Sequence, residues 1–133
     1  METSVFIFIL AVMLVLSASS LLQSSPKYRL KRAVWEVHTQ LNYARFKAIC
    51  SGQKMRVAFT ESGYRIELYQ VEKKRWTLEM EALLEGVVIA ANNRPTFHPN
   101  GNVSNLASIV ISNSWSAYKV SIAISGRIKI IEL

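Results

Sequence analysis

The first 26 residues follow a pattern that has no polar stripe. No charged residue occurs between Thr3 and Pro26, and the most apolar part of this run extends from Val5 to Leu16. A buried helix in a soluble domain of this size usually has one polar side. About 20 predominantly apolar residues, each rising roughly 1.5 Å, suffice to span the ~30 Å hydrocarbon core of a bilayer. The pattern therefore predicts a transmembrane half-helix over residues 1–26.

Two other interpretations of this run stay open. A cleaved secretory signal needs a basic start, a short apolar region and small residues at the cut. Ser17-Ala18-Ser19 could provide the cut, but Glu2 makes the start acidic. The second alternative is a buried helix of a soluble domain.

Beyond Pro26 the pattern becomes that of an amphipathic helix. Apolar residues recur at steps of three and four, with charged residues on the other faces. Pro26 is expected to kink the helix or to mark where it leaves the bilayer, and Ser51-Gly52 is expected to end it. Residues 27–51 are thus predicted to be the second half of one long helix, whose apolar face packs on the rest of the chain. That face consists of Leu30, Val34, Val37, Leu41, Ala44 and Ala48.

From residue 52 to residue 133 the period changes to two. Alternation on both sides of Ser62-Gly63 predicts a β-hairpin, and Glu72-Lys73-Lys74 predicts the turn to a third strand. The Ser125-Gly126 spacing resembles a two-residue hairpin. The predicted fold class is α+β, a long N-terminal helix packed on an antiparallel β domain. Later strands are predicted at Gly86–Ala90, Ser108–Ser112, Lys119–Ile124 and Arg127–Ile131.

Composition excludes several classes of protein. Half of the residues are hydrophobic and 19% are charged, which excludes a disordered chain. All nine acidic residues are Glu and there is one cysteine, so neither a calcium loop nor a multi-cysteine zinc site is expected. We expect no cofactor. The net charge of +7 suits an anionic partner such as phospholipid, nucleic acid or an acidic protein surface.

The histidines and the cysteine do not form a catalytic group. His38 and His98 lack metal-ligand spacing, and no Asp is present to orient a histidine as in a catalytic triad. His98, before Pro99, is expected to be a turn residue. Cys50, at the predicted helix end, is expected to be a small buried apolar group. An enzyme is therefore the least favoured class of function.

Several segments occur in an order that resembles one family. They are Leu41–Ile49 with Gly52, the strand Met55–Phe59, then Gly86–Ile89, Thr96–Gly101 and Tyr118–Lys129. The Phe-x-Pro-x-Gly turn and the closing Gly-Arg are the most recognisable pieces. Over about residues 30 to 131 the chain resembles the GspH/FimT family, which are minor pseudopilins and pilins of type II secretion and type IV pilus systems.

The resemblance implies a non-enzymatic filament subunit. Such a subunit waits as a single-pass protein of the inner membrane, in contact with lipid and with its β domain in the periplasm. It then assembles with other pilin or pseudopilin subunits into a pilus or pseudopilus. In the family, a glutamate at the position of Glu2 meets the free amine of a neighbouring subunit during assembly. The helix dipole also favours a carboxylate there by ~0.3–1 kcal/mol.

Members of the family begin with a short basic leader that ends in Gly, after which a prepilin peptidase cuts. Met1-Glu2-Thr3 resembles that glutamate and the start of the apolar helix after it, so we expect an in-frame leader upstream. A leader would also resolve a conflict of orientation. The positive-inside rule would otherwise place the basic collar after the apolar run in the cytoplasm. This collar consists of Lys27, Arg29, Lys31 and Arg32.

Two groups of basic residues are candidate binding sites. The basic collar could bind anionic lipid headgroups or acidic neighbours on a filament, and the alternative is a solvated helix face. Arg127 and Lys129 share one face of the predicted last strand. Some members of the family bind DNA through a Gly-Arg-x-Arg ending, which Gly126–Lys129 resembles with Lys in place of the second Arg. This DNA or anion site would be wider if it shared a side with Arg56, Arg65, Lys73, Lys74 and Arg75.

Three functions therefore stay open. The first is a structural subunit of a type II secretion or type IV pilus filament. The second is a DNA-binding minor pilin that acts in DNA uptake, which requires the basic residues to form one contiguous stripe. The third is a membrane-anchored periplasmic binding module without a filament role, which would lack the leader.

Overall fold

The computed structural model describes the backbone of residues 1–23 and 25–133, and the side chains of residues 1–18 and 25–133. Helix α1 extends over Glu2–Gln23 and helix α2 over Pro26–Ser51. Ser25 begins α2, because its hydroxyl oxygen accepts a hydrogen bond from the Tyr28 N–H at 3.3 Å. Pro26 follows in the first turn, where no N–H is needed. Pro26 thus starts a second helix, whereas the sequence predicted one long helix.

The C-terminal end of α2 agrees with the prediction. Gly52 adopts a left-handed φ of 68°, and its N–H donates to the Ala48 carbonyl at 3.1 Å. This conformation costs glycine little and pairs one of the last helical carbonyls. Cys50 is exposed, so its prediction as a buried group is wrong. Cys50 lies two residues beyond the buried Ala48 in the helix, so its side chain points to the opposite side.

Within the described residues, nine strands form two antiparallel sheets, and the α+β fold class is confirmed. The first sheet has the order β3-β2-β1-β5-β6, and the second has the order β4-β7-β8-β9. The strands are β1 (Met55–Phe59), β2 (Gly63–Gln70), β3 (Arg75–Leu83), β4 (Val88–Ala91), β5 (Thr96–Phe97), β6 (Val103–Ser104), β7 (Ser108–Ser112), β8 (Ala117–Ile122) and β9 (Ile128–Glu132).

The predicted hairpin around Ser62-Gly63 is confirmed by the pairing of β1 with β2, and the third strand is confirmed as β3. The pairing of β2 with β3 contains a bulge, because Ile66 lies opposite Met80 whereas Glu67 lies opposite Leu78. Glu79 is therefore the extra residue. A bulge of this kind redirects a side chain, and the Glu79 carboxylate forms an ion pair with Lys47 of α2.

Two predictions about later strands need correction. The strand predicted from Gly86 begins at Val88, and Val88 is 57% exposed rather than buried. The turn between β8 and β9 has three residues rather than two. The Ala123 N–H donates to the Arg127 carbonyl and the Gly126 N–H to the Ala123 carbonyl, each at 2.9 Å. Gly126, with φ of 88°, occupies the left-handed position that this longer turn requires.

The predicted apolar face of α2 is confirmed as the centre of the core. It contacts β1 and β5 of the first sheet and β7 and β8 of the second. All six predicted positions are buried, and Ala33 joins them. Fully burying a Leu or Val side chain stabilises a fold by about 1.5–3 kcal/mol. The same buried cluster includes these residues of the two sheets: Met55, Ile66, Phe97, Ile109, Ile111 and Val120.

Helix α1 presents apolar side chains on every side. From Val5 to Leu16 each described side chain is exposed. Across residues 1–23 and 25–133, no helix is long and apolar enough to cross a membrane, so the structure does not support the predicted transmembrane half-helix.

Candidate functional surfaces

Glu2 lies in the first turn of α1, where the partial positive charge of the helix end favours a carboxylate. Its side chain is exposed. Its role in subunit assembly stays a prediction.

The basic collar is partly a junction between α2 and the β domain. The Lys27 ammonium lies 5.4 Å from the centroid of the Trp115 ring. The Arg29 side chain runs across Gly86, where an added Cβ would lie 2.8 Å from Arg29 Cδ. All four collar residues are exposed. The structure thus brings Lys27 onto the loop between β7 and β8 and Arg29 onto the connection from β3 to β4. Lys31 and Arg32 lie on the outside of α2. Binding of lipid or of acidic neighbours by the collar stays a prediction.

Arg45 makes the corresponding contact near the other end of α2. Its Nε donates to the Gly101 carbonyl at 3.3 Å. Its guanidinium also lies against Gly126, so closely that an added Cβ would overlap it. Gly101 closes the Phe-x-Pro-x-Gly turn and Gly126 opens the closing Gly-Arg. Both turns therefore contact the Arg45 side chain. The sequence pattern does not predict these contacts, because it assigns Arg45 only to the polar face of the helix.

Tyr64 connects β2 to α2 through a buried hydroxyl. The Tyr64 residue is 2% exposed, and its hydroxyl donates to Glu36 Oε1 at 3.0 Å. Burial raises the pKa of the Tyr64 hydroxyl above its ordinary value, and the hydrogen bond to Glu36 and the charge of that carboxylate raise the pKa further. Tyr64 therefore acts as a neutral donor that holds the helix on the sheet.

The basic residues proposed to widen the Arg127 site lie on the first sheet. Arg56 donates from Nε to Glu67 Oε2 at 2.7 Å and lies 4.3 Å from the Trp76 ring centroid. Arg65 lies 4.0 Å from a Glu81 oxygen. Lys73 and Lys74 lie in the turn from β2 to β3, and Arg75 begins β3. Two of these five cations therefore lie beside glutamates, Arg56 closely and Arg65 at the limit of an ion pair.

The second sheet has its own group of cations. Arg127 precedes β9 and Lys129 lies within it, and both are exposed. In the pairing of β8 with β9, Lys119 lies opposite Ile131 and Ser121 opposite Lys129, so Lys119 shares the outward side with Lys129. Sequence reasoning did not select Lys119, although its alternation with the buried Val120 and Ile122 pointed outward. Binding of DNA or anions at Arg127 and Lys129 stays a prediction.

No group of three or more His, Cys, Asp or Glu side chains that could hold a metal ion occurs in the described part of the chain. His98 pairs through Nε2 with the Ser104 hydroxyl at 2.7 Å, between β5 and β6. The polar contacts that the structure does bring together join side chains of α2 to turns of the β domain.

The family described as Type II transport protein GspH matches residues 33–126. Two solved structures of the minor pseudopilin EpsH from the type II secretion system of Vibrio cholerae are similar, each with 14% sequence identity. The TM-scores are 0.65 and 0.68. The first match covers 78% of this chain and 97% of that chain, and the second covers 80% and 96%. At 14% sequence identity, the structural similarity establishes a shared fold alone. No curated protein matches.

Replacing Gly126 by Ala should destabilise the fold by about 1–3 kcal/mol, chiefly because the left-handed conformation disfavours a Cβ and also because the Arg45 side chain must move away from the new atom. Urea unfolding in nonionic detergent measures the change, with Ser125→Ala as the exposed control. In an Arg45→Ala background the same substitution should cost less, because the overlap is gone. Equal costs in the two backgrounds would show that the Arg45 contact is unimportant.

The stability of the protein should fall as the pH rises above about 10, the ordinary pKa of tyrosine. Because the folded pKa of Tyr64 is raised, its contribution is fully present below that pH and is lost as the pH rises toward the folded pKa. Tyr64→Phe should lower the free energy of unfolding at pH 8 by about 1.5–3 kcal/mol, the value of a hydrogen bond to a charged group. It should also flatten the alkaline decline.

Urea titrations between pH 8 and pH 11 compare the Tyr64→Phe variant with Tyr28→Phe, which alters an exposed ring. An alkaline decline that is equally steep in wild type and Tyr64→Phe would contradict this role of Tyr64.

Proposed function

Since the chain belongs to the GspH family of type II transport proteins, we propose that it is a minor pseudopilin of a type II secretion filament. Members of this family are structural components of a filament and not enzymes. The observation that supports the proposal most strongly is α1. This helix carries no charge after Glu2, and its apolar side chains from Val5 to Leu16 are exposed on all sides.

The exposed apolar side chains of α1 are unfavourable in water and must be buried against another apolar surface. Contiguous exposed apolar patches larger than a few hundred Å² mark interaction or membrane sites in soluble proteins. Other pseudopilin subunits would provide that surface by packing their own helices around α1. Before assembly, α1 would hold the subunit at the inner membrane, with the β domain in the periplasm. One apolar helix suits both surroundings, because lipid tails and packed helices are equally dry.

The contacts of α2 indicate that the β domain would move together with this helix. Arg29 contacts Gly86, Lys47 pairs with Glu79, and Arg45 contacts Gly101 and Gly126. These contacts join α2 to both sheets, so the β domain would follow α2 when the helices pack. The subunit would then display its β domain on the outside or at the tip of the filament.

Two alternatives have less support. A subunit of a type IV pilus is disfavoured because the matching family is described by type II transport. A DNA-uptake role requires one basic stripe, but Arg56 and Arg65 are paired with glutamates on the first sheet while Arg127 and Lys129 belong to the second. This division leaves a DNA site of few cations, and a minor pseudopilin accounts for more of the molecule.

Phe8→Glu should remove the subunit from filaments, because a carboxylate between packed apolar helices is costly. A charged side chain at the centre of a helix in lipid costs roughly 2.5–3.5 kcal/mol, and a similar cost between dry packed helices corresponds to about a hundredfold loss of incorporation. Immunoblots of sheared filaments measure incorporation. Val71→Glu is the matched control, since Val71 is 66% exposed and Phe8 is 70% exposed, but Val71 lies in a turn of the β domain. Loss of incorporation in both variants, or in neither, would contradict a packing role for α1.

Glu2→Gln should also reduce incorporation, because an amide keeps the shape of the carboxylate but cannot pair with a neighbour's ammonium. The amount of subunit in the membrane fraction should not change, which separates assembly from targeting. Glu132→Gln, at the end of β9, controls for the loss of one negative charge. Normal incorporation of Glu2→Gln would leave Glu2 as an ordinary acid at the start of a helix.

A further inference from the structure

The free edge of β9 has hydrogen-bonding groups that no described strand pairs. The Leu133 N–H donates to the Ala117 carbonyl, and the Ala123 N–H donates to the Arg127 carbonyl, each at 2.9 Å. Hydrogen-bonded and non-hydrogen-bonded pairs alternate in an antiparallel ladder, so Arg127, Lys129 and Ile131 direct their backbone groups toward β8. The N–H and C=O groups of the intervening residues therefore point away from the sheet. Those residues are Ile128, Ile130 and Glu132.

The other sheet edges are short, distorted or partly covered. Edge β3 carries the bulge at Glu79, and such a bulge blunts an edge. On edge strand β4, the Ile89 N–H donates to the Glu61 carbonyl at 2.9 Å. Edge β6 has two residues, and its Val103 N–H donates to the Ile124 carbonyl at 2.9 Å. Edge β9 has five residues and a regular register with β8.

The outer face of the second sheet beside this edge is basic. Its outward positions, given by the strand register, include Lys119 on β8 and Lys129 on β9, which are diagonal neighbours at about 7–8 Å. Arg127 follows on the same side, two residues from Lys129. Within the described residues no glutamate occupies an outward position of this sheet, since Glu132 has the opposite orientation. The remaining outward positions are Val88, Ala90, Ser108, Val110, Ser112, Ala117, Ser121 and Ile131.

We propose that β9 accepts an added strand from another protein, an extended segment with an acidic residue at every second position. The backbone of that segment would pair with Ile128, Ile130 and Glu132. Its acidic side chains would lie on the outer face, next to Lys129 of β9 and within side-chain reach of Lys119 of β8, one strand further in. Strand addition of this kind gains affinity from main-chain hydrogen bonds and specificity from alternate side chains.

A second copy of this chain fits the edge less well. Pairing two β9 strands would place both sets of Lys119, Arg127 and Lys129 on one continuous face, where like charges repel. Duplex DNA could meet the cations, but it cannot use the backbone groups of the edge. The proposal does not depend on the role of α1 in a filament.

Peptide binding to the full chain in nonionic detergent tests this proposal by fluorescence anisotropy. The probe is a fluorescein-labelled peptide of about ten alternating Glu and Val residues, the upper length of a usual strand. Two further peptides carry N-methyl groups on every second amide, one on the Glu residues and the other on the Val residues. Only one set of amides in an added strand faces β9. We therefore expect one N-methylated peptide to lose binding and the other to keep it.

Variants of the chain test the two halves of the site separately. Lys119→Gln with Lys129→Gln should weaken binding roughly two- to thirtyfold, the loss of two exposed charge pairs. Lys73→Gln with Lys74→Gln removes the same charge from the other sheet and should have little effect. Glu132→Pro removes one outward N–H and should weaken binding about two- to tenfold relative to Glu132→Ala.

Several outcomes would overturn the proposal. If both N-methylated peptides bind equally well, the face attracts anions without adding a strand. If the two lysine double variants behave alike, the attraction follows only net charge. If duplex DNA binds and Glu132→Pro leaves that binding unchanged while the peptide fails to bind, the surface belongs to nucleic acid. Absence of all binding would leave Lys129 as a charge that protects the edge from aggregation.

Discussion

The packing of α2 against two separate sheets is the contact on which the rest of the fold depends. Leu30 and Leu41 have no exposed surface, and the helix touches strands of both sheets. The sheets are joined to each other by isolated hydrogen bonds, such as that from Ile89 to Glu61, rather than by a continuous ladder. Their relative position is therefore set by the side chains that they share with the helix. Alanines at positions 33, 44 and 48 let the strands approach it closely.

Apolar packing alone would allow α2 to slide or rotate by small steps, since many arrangements of similar side chains have similar energies. The contacts at glycines remove this freedom. Gly86 and Gly126 both have a positive φ and no Cβ, and each accepts the side chain of an arginine from α2. The Tyr64 hydroxyl adds a directional bond to Glu36. Polar contacts at the rim thus select one arrangement among those that the core permits.

The parts of the fold that follow from local pattern were predictable from the sequence. The period of α2, its end at Gly52 and the hairpin at Gly63 depend on neighbouring residues, and all three are confirmed. The contact of Arg45 with Gly126 joins residues far apart in the chain, so no local pattern contains it. Lys119 could be assigned to the basic face only once the register of β8 and β9 was known. Charge alone groups Arg56 with Arg127, but strand pairing places them on different sheets.

The positions of Arg29 and Arg45 have a mechanical consequence. They attach α2 to the β domain at two places about 24 Å apart along the helix, at 1.5 Å per residue. A load applied along the helix axis is then shared by both attachments and by the apolar contacts between them, because all of them resist shear together. A load that lifted one end would break the contacts in sequence and meet much less resistance. These contacts would therefore resist a load along the helix axis better than a load that lifts one end of the helix.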